Sequence, residues 1–399
     1  MSTAGWWIAV AAAVWTVLSL GGLALSAGFA MARPLLRRRR RRADTGEPVS
    51  VVLPIKALDT GFEIAQASVL RTLPLGSEVI VTARETASPA LDTARRVFAD
   101  AVVPVEFLHS TANFAVSPKV DNLVEAIAAA RNDLIFMKDS NVELPSGGVN
   151  PGIGSLTEDV GLVCAIPRAI GAKTFAAAVE AQIMNQSHGR LLLLADALGL
   201  GFGVGKIMVF RRSVLERIGG LAAVAHSVGE DSALQVAFAK IGLRTAFMPS
   251  VVTQRLGARG WRDVFDRQMR WTAVRASNTK LAFAAEPLGL CVVAALAAAI
   301  AAPLAGLHPL TGAVLCLAAW FAIETALALS EGWDVSVTAP AVMVVRDSLM
   351  LAVWSRAWFT RRVVWAGNSV PVNRIGGLPL PADTPADRSE YRQKQRNNL

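Results

Sequence analysis

Residues 5 to 32 read GWWIAVAAAVWTVLSLGGLALSAGFAMA without a charged side chain, and charge arrives only afterwards, as Arg33 and then Arg37 to Arg42. At about 1.5 Å per helical residue this stretch exceeds the roughly 30 Å hydrocarbon core of a bilayer. A cleaved signal peptide carries its positive charge before a shorter apolar core, so the pattern predicts an uncleaved membrane anchor. Six consecutive arginines beside a span favour the cytoplasmic side and attract anionic headgroups, which places residue 43 onward inside, with inner-membrane lipids as the expected partners of the run.

From Val49 to about Thr253 short apolar runs alternate with helical periodicity. Strands are expected at 49–54, 78–83, 102–108 and 133–138, separated by helices near 61–72, 89–99 and 119–131. A second set of strands follows at 159–167, 205–212 and 243–252, with a helix over 229–242. Strict alternation implies a parallel sheet covered on both faces, whose ligands sit beyond the carboxyl ends of the strands. Asp139 immediately follows the fourth strand and falls at such a place.

After Gly260 the text WRDVFDRQMRWTAVRASNTKLAF mixes arginines and aromatics in one helix, the pattern of an amphipathic helix at a membrane surface with snorkelling arginines. Residues 287–323 carry no Lys, Arg, Asp or Glu and predict two spans divided by the turn GLHPLTG at 306–312. A third apolar stretch, 336–359, holds Arg346 and Asp347 and is expected to be re-entrant or interfacial, because Arg356, Arg361, Arg362 and Arg374 argue for a cytoplasmic C-terminus. The polar tail from about residue 380 has a disordered composition.

Composition agrees with a membrane protein: 53% of the 399 residues are hydrophobic and the mean hydropathy is +0.42. The net charge of +9 owes much to the single arginine run. No aromatic-interleaved basic surface accompanies it elsewhere, so no nucleic-acid partner is expected. Cys164, Cys291 and Cys316 have no close spacing, which argues against disulfides and a zinc site.

Several short motifs carry candidate chemistry. The string GLGFGVGK at 199–206 is not a phosphate loop, because Leu200 stands at its first glycine and Ile207 follows Lys206. Its glycines are expected to let a loop pass close to a ligand or to another backbone. Asp139, in DSNVEL, is either a turn-former with Ser140 and Asn141 or a ligand that holds Mg²⁺ or Mn²⁺ together with substrate phosphates. Lys119, in SPKVDNL, stands near a helix start where anions are favoured, or is a solvated lysine. Glu230 and Asp231, in SVGED, open a helix, a position that stabilises acids whatever their role and lowers a carboxylate pKa. His188, in NQSHGR, reads alone as a structural histidine.

In this order on this scaffold, the segments VSVVLPIKALD, SPKVDNL, DLIFMKDSNVELP, SHGR, GED, RQMRWTAVRAS and EPLG resemble the membrane-bound glycosyltransferases of families 2 and 21. They look closest to ceramide glucosyltransferases and their bacterial hopanoid-pathway relatives. The resemblance implies a GT-A fold with a Rossmann-like mixed sheet, a nucleotide-sugar donor such as UDP-glucose, a membrane-lipid acceptor such as ceramide, and inversion at the anomeric carbon. It implies Asp231 as catalytic base, Asp139 as metal and diphosphate acid, and Lys119, Arg267, Arg270 and Trp271 on the donor. His188 and Glu230 fall on the acceptor side. The family's early acidic cluster is reduced here to Glu85, with Ser88 at its usual aspartate, and Asn141 replaces the second acid of a DxD form. The implied organisation is an anchor over 1–42, a catalytic domain over 43–259, an interface helix over 260–285, membrane helices over 286–359 and a cytoplasmic tail over 360–399. The same chemistry on a hopanoid or polyprenyl phosphate, or a degenerate membrane scaffold without activity, are the alternatives.

Overall fold

A computed structural model of the chain describes residues 2–37, 46–227, 229–278 and 280–360, with two short strands, Arg362–Trp365 and Asn368–Pro371. Arg38 to Arg42 of the basic run, Val228 of SVGED, Arg361, Arg374 and the polar tail lie outside the described residues. Two compact units emerge. One gathers 46–166 and 200–253 with the two short strands; the other gathers 2–37, 167–199 and 254–360.

Seven strands form the sheet of the first unit: β1 (Ser50–Pro54), β2 (Glu78–Ala83), β3 (Val105–His109), β4 (Leu134–Lys138), β5 (Val160–Cys164), β6 (Ile207–Arg211) and β7 (Arg244–Phe247). Their spatial order is β3-β2-β1-β4-β6-β5-β7. The ladders β2–β3, β1–β2, β1–β4 and β5–β7 are parallel. Strand β6 runs antiparallel to both of its neighbours, β4 and β5. The sheet is therefore mixed rather than uniformly parallel, since a strand's direction is set by where its connection enters and not by its own apolar run. Strands β1, β2, β4 and β5 are buried along their whole length, as continuous apolar runs covered on both faces must be. Val51, Val81, Phe136 and Val209 form the core with Phe62, Leu91 and Phe98 from the covering helices.

Local differences from the sequence reading have side-chain causes. The helix expected over 119–131 is broken into Pro118–Asp121 and Val124–Ala129. Asp121 Oδ1 accepts from the backbone N–H groups of Phe114 and Ala115, and Asn122 Nδ2 donates to the carbonyls of Ile55 and Thr82, so the break ties three segments together. The run 243–252 divides after Phe247, and a separate strand takes up Val252–Gly257. At 61–72 the α-helix is only Phe62–Ala67 and ends in a 3₁₀ turn.

The second unit is helical. Thr3–Leu36 (34 residues) and Pro309–Ser330 (22 residues) are long and apolar enough to cross a membrane. Val14, Val17, Leu18 and Leu25 on the first are 54–69% exposed, an outward apolar surface that lipid accommodates and water does not. Between 287 and 308, where a full span was expected, the α-helix is only Cys291–Ala301, 11 residues or roughly 17 Å, followed by a 3₁₀ turn. Gly312 lets its helix close on this one, because a Cβ there would lie 2.6 Å from the Ala298 carbonyl oxygen.

Ala339–Ala357 buries Arg346 and Asp347 completely. Arg346 forks onto Glu324 through Nη1 and Nη2, both at 2.9 Å, and its Nε reaches Asp347 Oδ1 at 2.6 Å. Trp320 Nε1 donates to Glu324 Oε1 at 3.0 Å, and the Cys291 backbone N–H donates to Asp347 Oδ2 at 2.6 Å. All three cysteines are buried free thiols.

Candidate functional site

The carboxyl end of the sheet in the first unit holds a cleft of about 420 Å³ lined by Lys56, Arg84, Glu85, Lys119, Asp139 and Asn141, among others. Asp139 follows β4 directly, and its backbone N–H donates to the Lys206 carbonyl at 3.0 Å, an extension of the β4–β6 ladder. That register delivers Lys206 to Asp139. Lys206 Nζ lies 3.3 Å from Asp139 Oδ2 and 3.3 Å from Asn141 Oδ1. Lys119 Nζ lies 2.8 Å from Asp139 Oδ1, 2.8 Å from Glu230 Oε1 and 2.6 Å from the Gly205 carbonyl. Burial works against the Lys119 charge, but the two carboxylates outweigh it and hold the ammonium well above the usual lysine range. Burial likewise opposes the Asp139 charge, and Lys119 and Lys206 overcome it, so Asp139 stays below the usual carboxylate value.

Asp231 sits in the first turn of the Glu230–Lys240 helix. Its Oδ2 accepts from Gly205 N–H and its Oδ1 from Ser232 N–H, each at 2.7 Å. The expected lowering of its pKa by the helix start is overturned: burial and the adjacent Glu230 raise it to about 6, against the two backbone donors and Lys119. An acid at that value is ionised at neutral pH and holds a proton far better than an ordinary aspartate does, the poise a general base needs.

The glycine string explains the closeness of these groups. A Cβ on Gly203 would lie 2.3 Å from the Asp231 carbonyl oxygen, and one on Gly201 equally close to that of Thr245. At Gly205 it would meet Glu230, Lys119 and Asp231 side chains at 3.0–3.3 Å. Glycine is needed here for backbone approach, not for a phosphate cradle.

Glu85 lies in the cleft just beyond β2, and Ser88 caps the Pro89–Phe98 helix by accepting from Leu91 N–H at 3.3 Å. Ser88 thus has a local structural duty where the resembled family carries an acid. A divalent ion finds little prepared for it. Among the described residues no three His, Cys, Asp or Glu side chains converge as a metal set, and both Asp139 oxygens accept from lysines. The donor chemistry fits a hard cation held jointly by Asp139 and a bound diphosphate, and does not fit one held by the protein alone.

The remaining expected site residues belong to the second unit. Arg267, Arg270 and Trp271 share the Trp261–Asn278 helix. Arg267 Nη1 lies 2.6 Å from the buried Glu180 carboxylate, and Trp271 packs against the buried cluster of Ala169, Ala177, Met184 and Leu256. His188 sits on the π-helical turn Ile183–Gly189, its ring 5.5 Å from that of Trp271 and its Nε2 3.4 Å from Arg275 Nη1. Burial and the Arg275 charge push the imidazole down to about 3, so it stays neutral near pH 7. Arg275 in turn pairs with Glu286 at 2.6 Å. Lys206, Arg275 and Glu180 escaped the sequence reading. Only the β4–β6 register could have flagged Lys206, and the EPLG and RQMRW segments held the signal for Arg275.

The fold is that of the GT-A glycosyltransferases: the mannosyltransferase PcManGT of Pyrobaculum calidifontis, solved with GDP-Man and Mn²⁺, superposes with a TM-score of 0.52 over 88% of this chain and 99% of its own, at 18% identity. The chain belongs to glycosyl transferase family 21, whose profile matches residues 6–377. Ceramide glucosyltransferase 1 of Caenorhabditis elegans is 27% identical over 183 residues, 45% of this chain and 39% of that one. The ceramide glucosyltransferase of Komagataella phaffii is 23% identical over 306 residues, 62% of this chain and 60% of its own. The matches thus span about two fifths to three fifths of these relatives.

Proposed function

We propose that this protein is an inverting hexosyltransferase, moving glucose from UDP-glucose to the hydroxyl of a membrane lipid such as ceramide and producing a β-glycolipid. What supports the reading is Lys119, whose ammonium lies 2.8 Å from both Asp139 and Glu230 and so joins the donor acid to the acid pair of the family's motif order.

In this mechanism Asp231 takes the proton of the acceptor hydroxyl as its oxygen attacks the anomeric carbon and the bond to the diphosphate breaks on the opposite face. Lys119 and Lys206 turn from Asp139 toward the phosphate oxygens and stabilise the departing charge. Mg²⁺ or Mn²⁺, held by Asp139 and the diphosphate, supplies further neutralisation of that charge when bound. Glu85 contacts the nucleoside in the cleft, and Arg267, Arg270 and Trp271 are the motif residues assigned to the donor. His188, neutral at working pH, positions rather than exchanges protons, and Glu230 supports Asp231. The protein is anchored through Thr3–Leu36 and Pro309–Ser330, with its catalytic unit in the cytoplasm.

Full-length protein purified in detergent, given UDP-glucose and ceramide, is expected to form a glucosylated lipid whose anomeric proton couples as a β-linkage. A product on a hopanoid or polyprenyl phosphate would move the acceptor assignment and keep the chemistry. No transfer to any lipid from UDP- or GDP-sugars would end the enzymatic reading.

A further inference from the structure

Lys138 stands where the apolar pattern of β4 calls for a hydrophobe. Side chains alternate along a strand, so Lys138 follows Leu134 and Phe136 on one face, beside Ile207 and Val209 of β6, and these four neighbours belong to the core. A lysine is almost never fully buried without a paired charge. Lys138 is 0% exposed, and among the described residues it forms no ion pair. Its amino group bonds backbone instead: Nζ donates to the Val142 carbonyl at 2.9 Å and to the Asp139 carbonyl at 3.1 Å.

Those two carbonyls begin and end one turn. The Val142 N–H donates to the Asp139 carbonyl at 3.2 Å, so the chain reverses directly after β4 and Val142 starts the short strand Val142–Glu143. An aspartate that leads a turn commonly closes it by accepting from the turn's own N–H groups. The Asp139 oxygens are engaged elsewhere, Oδ1 with Lys119 and Oδ2 with Lys206. Lys138 grips the turn from the core side, and Gln66 adds a second hold, its Nε2 donating to the Ser140 carbonyl at 2.7 Å. Asp59 fixes the Asn141 side chain, Nδ2 to Oδ2 at 3.1 Å.

With the turn held through its carbonyls, the Asp139 carboxylate is not needed to close it and faces the cleft, which Asp139, Ser140 and Asn141 line together. Lys138 has no exposed surface, so it touches no ligand there and acts only through the backbone of Asp139. A polar group set into an otherwise apolar row, at the one strand end that delivers a site carboxylate, is the kind of local exception that functional sites impose.

We propose that Lys138 is a positioning residue for the donor: by bonding the Asp139 and Val142 carbonyls it sets the direction in which the Asp139 carboxylate meets a diphosphate and its divalent cation. This rests on the reading of the cleft as the donor site. The test titrates full-length protein in detergent with Mn²⁺ in the presence of UDP, and of GDP in parallel, with free Mn²⁺ read by electron paramagnetic resonance. Lys138→Met keeps the length and apolar stem of the side chain and removes both bonds. It is expected to weaken nucleotide-dependent Mn²⁺ binding about tenfold, the lower end of what outer partners of a metal-binding carboxylate contribute. Phe136→Leu, on the same face of β4, is the core control: it should lower the unfolding midpoint and leave Mn²⁺ binding unchanged. Equal Mn²⁺ binding in Lys138→Met and the wild type overturns the proposal and leaves the donor reading standing, as does a loss matched by Phe136→Leu. A Lys138→Met protein that does not fold marks Lys138 as a structural residue of the core and overturns it too. Absence of nucleotide-dependent Mn²⁺ binding in the wild type ends the donor reading, and the proposal with it.

Discussion

The backbone N–H of Gly205 donates to Asp231 Oδ2 at 2.7 Å, so the glycine string before β6 holds the acid at the start of the Glu230–Lys240 helix in place. Asp231→Asn keeps that contact and removes the basicity. Transfer is expected to fall about 10²-fold or more with UDP affinity retained, as measured by initial rates and nucleotide titration.

The pH profile follows from the same residue. Protonated Asp231 cannot accept the hydroxyl proton, and burial beside Glu230 raises its pKa to about 6. The kcat/KM is therefore expected to fall about tenfold per pH unit below about 6, well above the range of an ordinary aspartate. Glu230→Gln removes the neighbouring charge and moves this acid limb to lower pH. A limb unmoved in that variant would mean that the titrating group is not Asp231.

Divalent-metal binding should depend on the nucleotide. With both Asp139 oxygens on lysines and no three His, Cys, Asp or Glu side chains converging among the described residues, calorimetry of Mn²⁺ against the protein alone is expected to show no tight site. Addition of UDP should create one, and Asp139→Asn should remove it.

Gly203→Ala forces a methyl group to 2.3 Å from the Asp231 carbonyl oxygen. The backbone must shift, at a cost of about 1–3 kcal/mol. A lower unfolding midpoint together with reduced transfer is expected; the same change at Gly171, where a Cβ meets nothing but φ is +67°, should lower the midpoint alone.

Arg346→Met should destabilise more than Glu324→Gln. Arg346 compensates two buried carboxylates, and its loss leaves both, whereas Glu324→Gln leaves Arg346 with Asp347. About 3–5 kcal/mol is the scale for stranding a buried charge, readable as a loss of unfolding midpoint in detergent.

The sheet was largely legible because β1, β2 and β4 are continuous apolar runs bounded by polar breaks, and Asp139 could be placed from chain order alone. What lay hidden depends on partners distant in sequence. Nothing in PKVDNLVEAIAAA says that Asp121 and Asn122 bond to other segments and break the helix. Lys206 meets Asp139 only through an antiparallel register that the apolar pattern cannot encode. The pKa of Asp231 was misjudged because a helix start is visible in sequence, whereas desolvation and the neighbouring Glu230 act through the packed site.

The helical unit also sets a timetable for synthesis. Leu20 and Leu23 of the first helix pack with Cys316 and Trp320, and Arg33 and Arg37 pair with Asp196. At about 5–20 residues per second, roughly 300 residues must be translated before the first helix meets its last partner, a wait on the order of 15–60 s. Until Asp196 emerges, the buried faces of Thr3–Leu36, small residues such as Ala27 and Ala30, have only lipid or the insertion machinery beside them. The nascent chain is thus most open to misassembly and degradation in its early membrane stage, and a stop before Cys316 leaves the first helix without its Cys316 and Trp320 contacts.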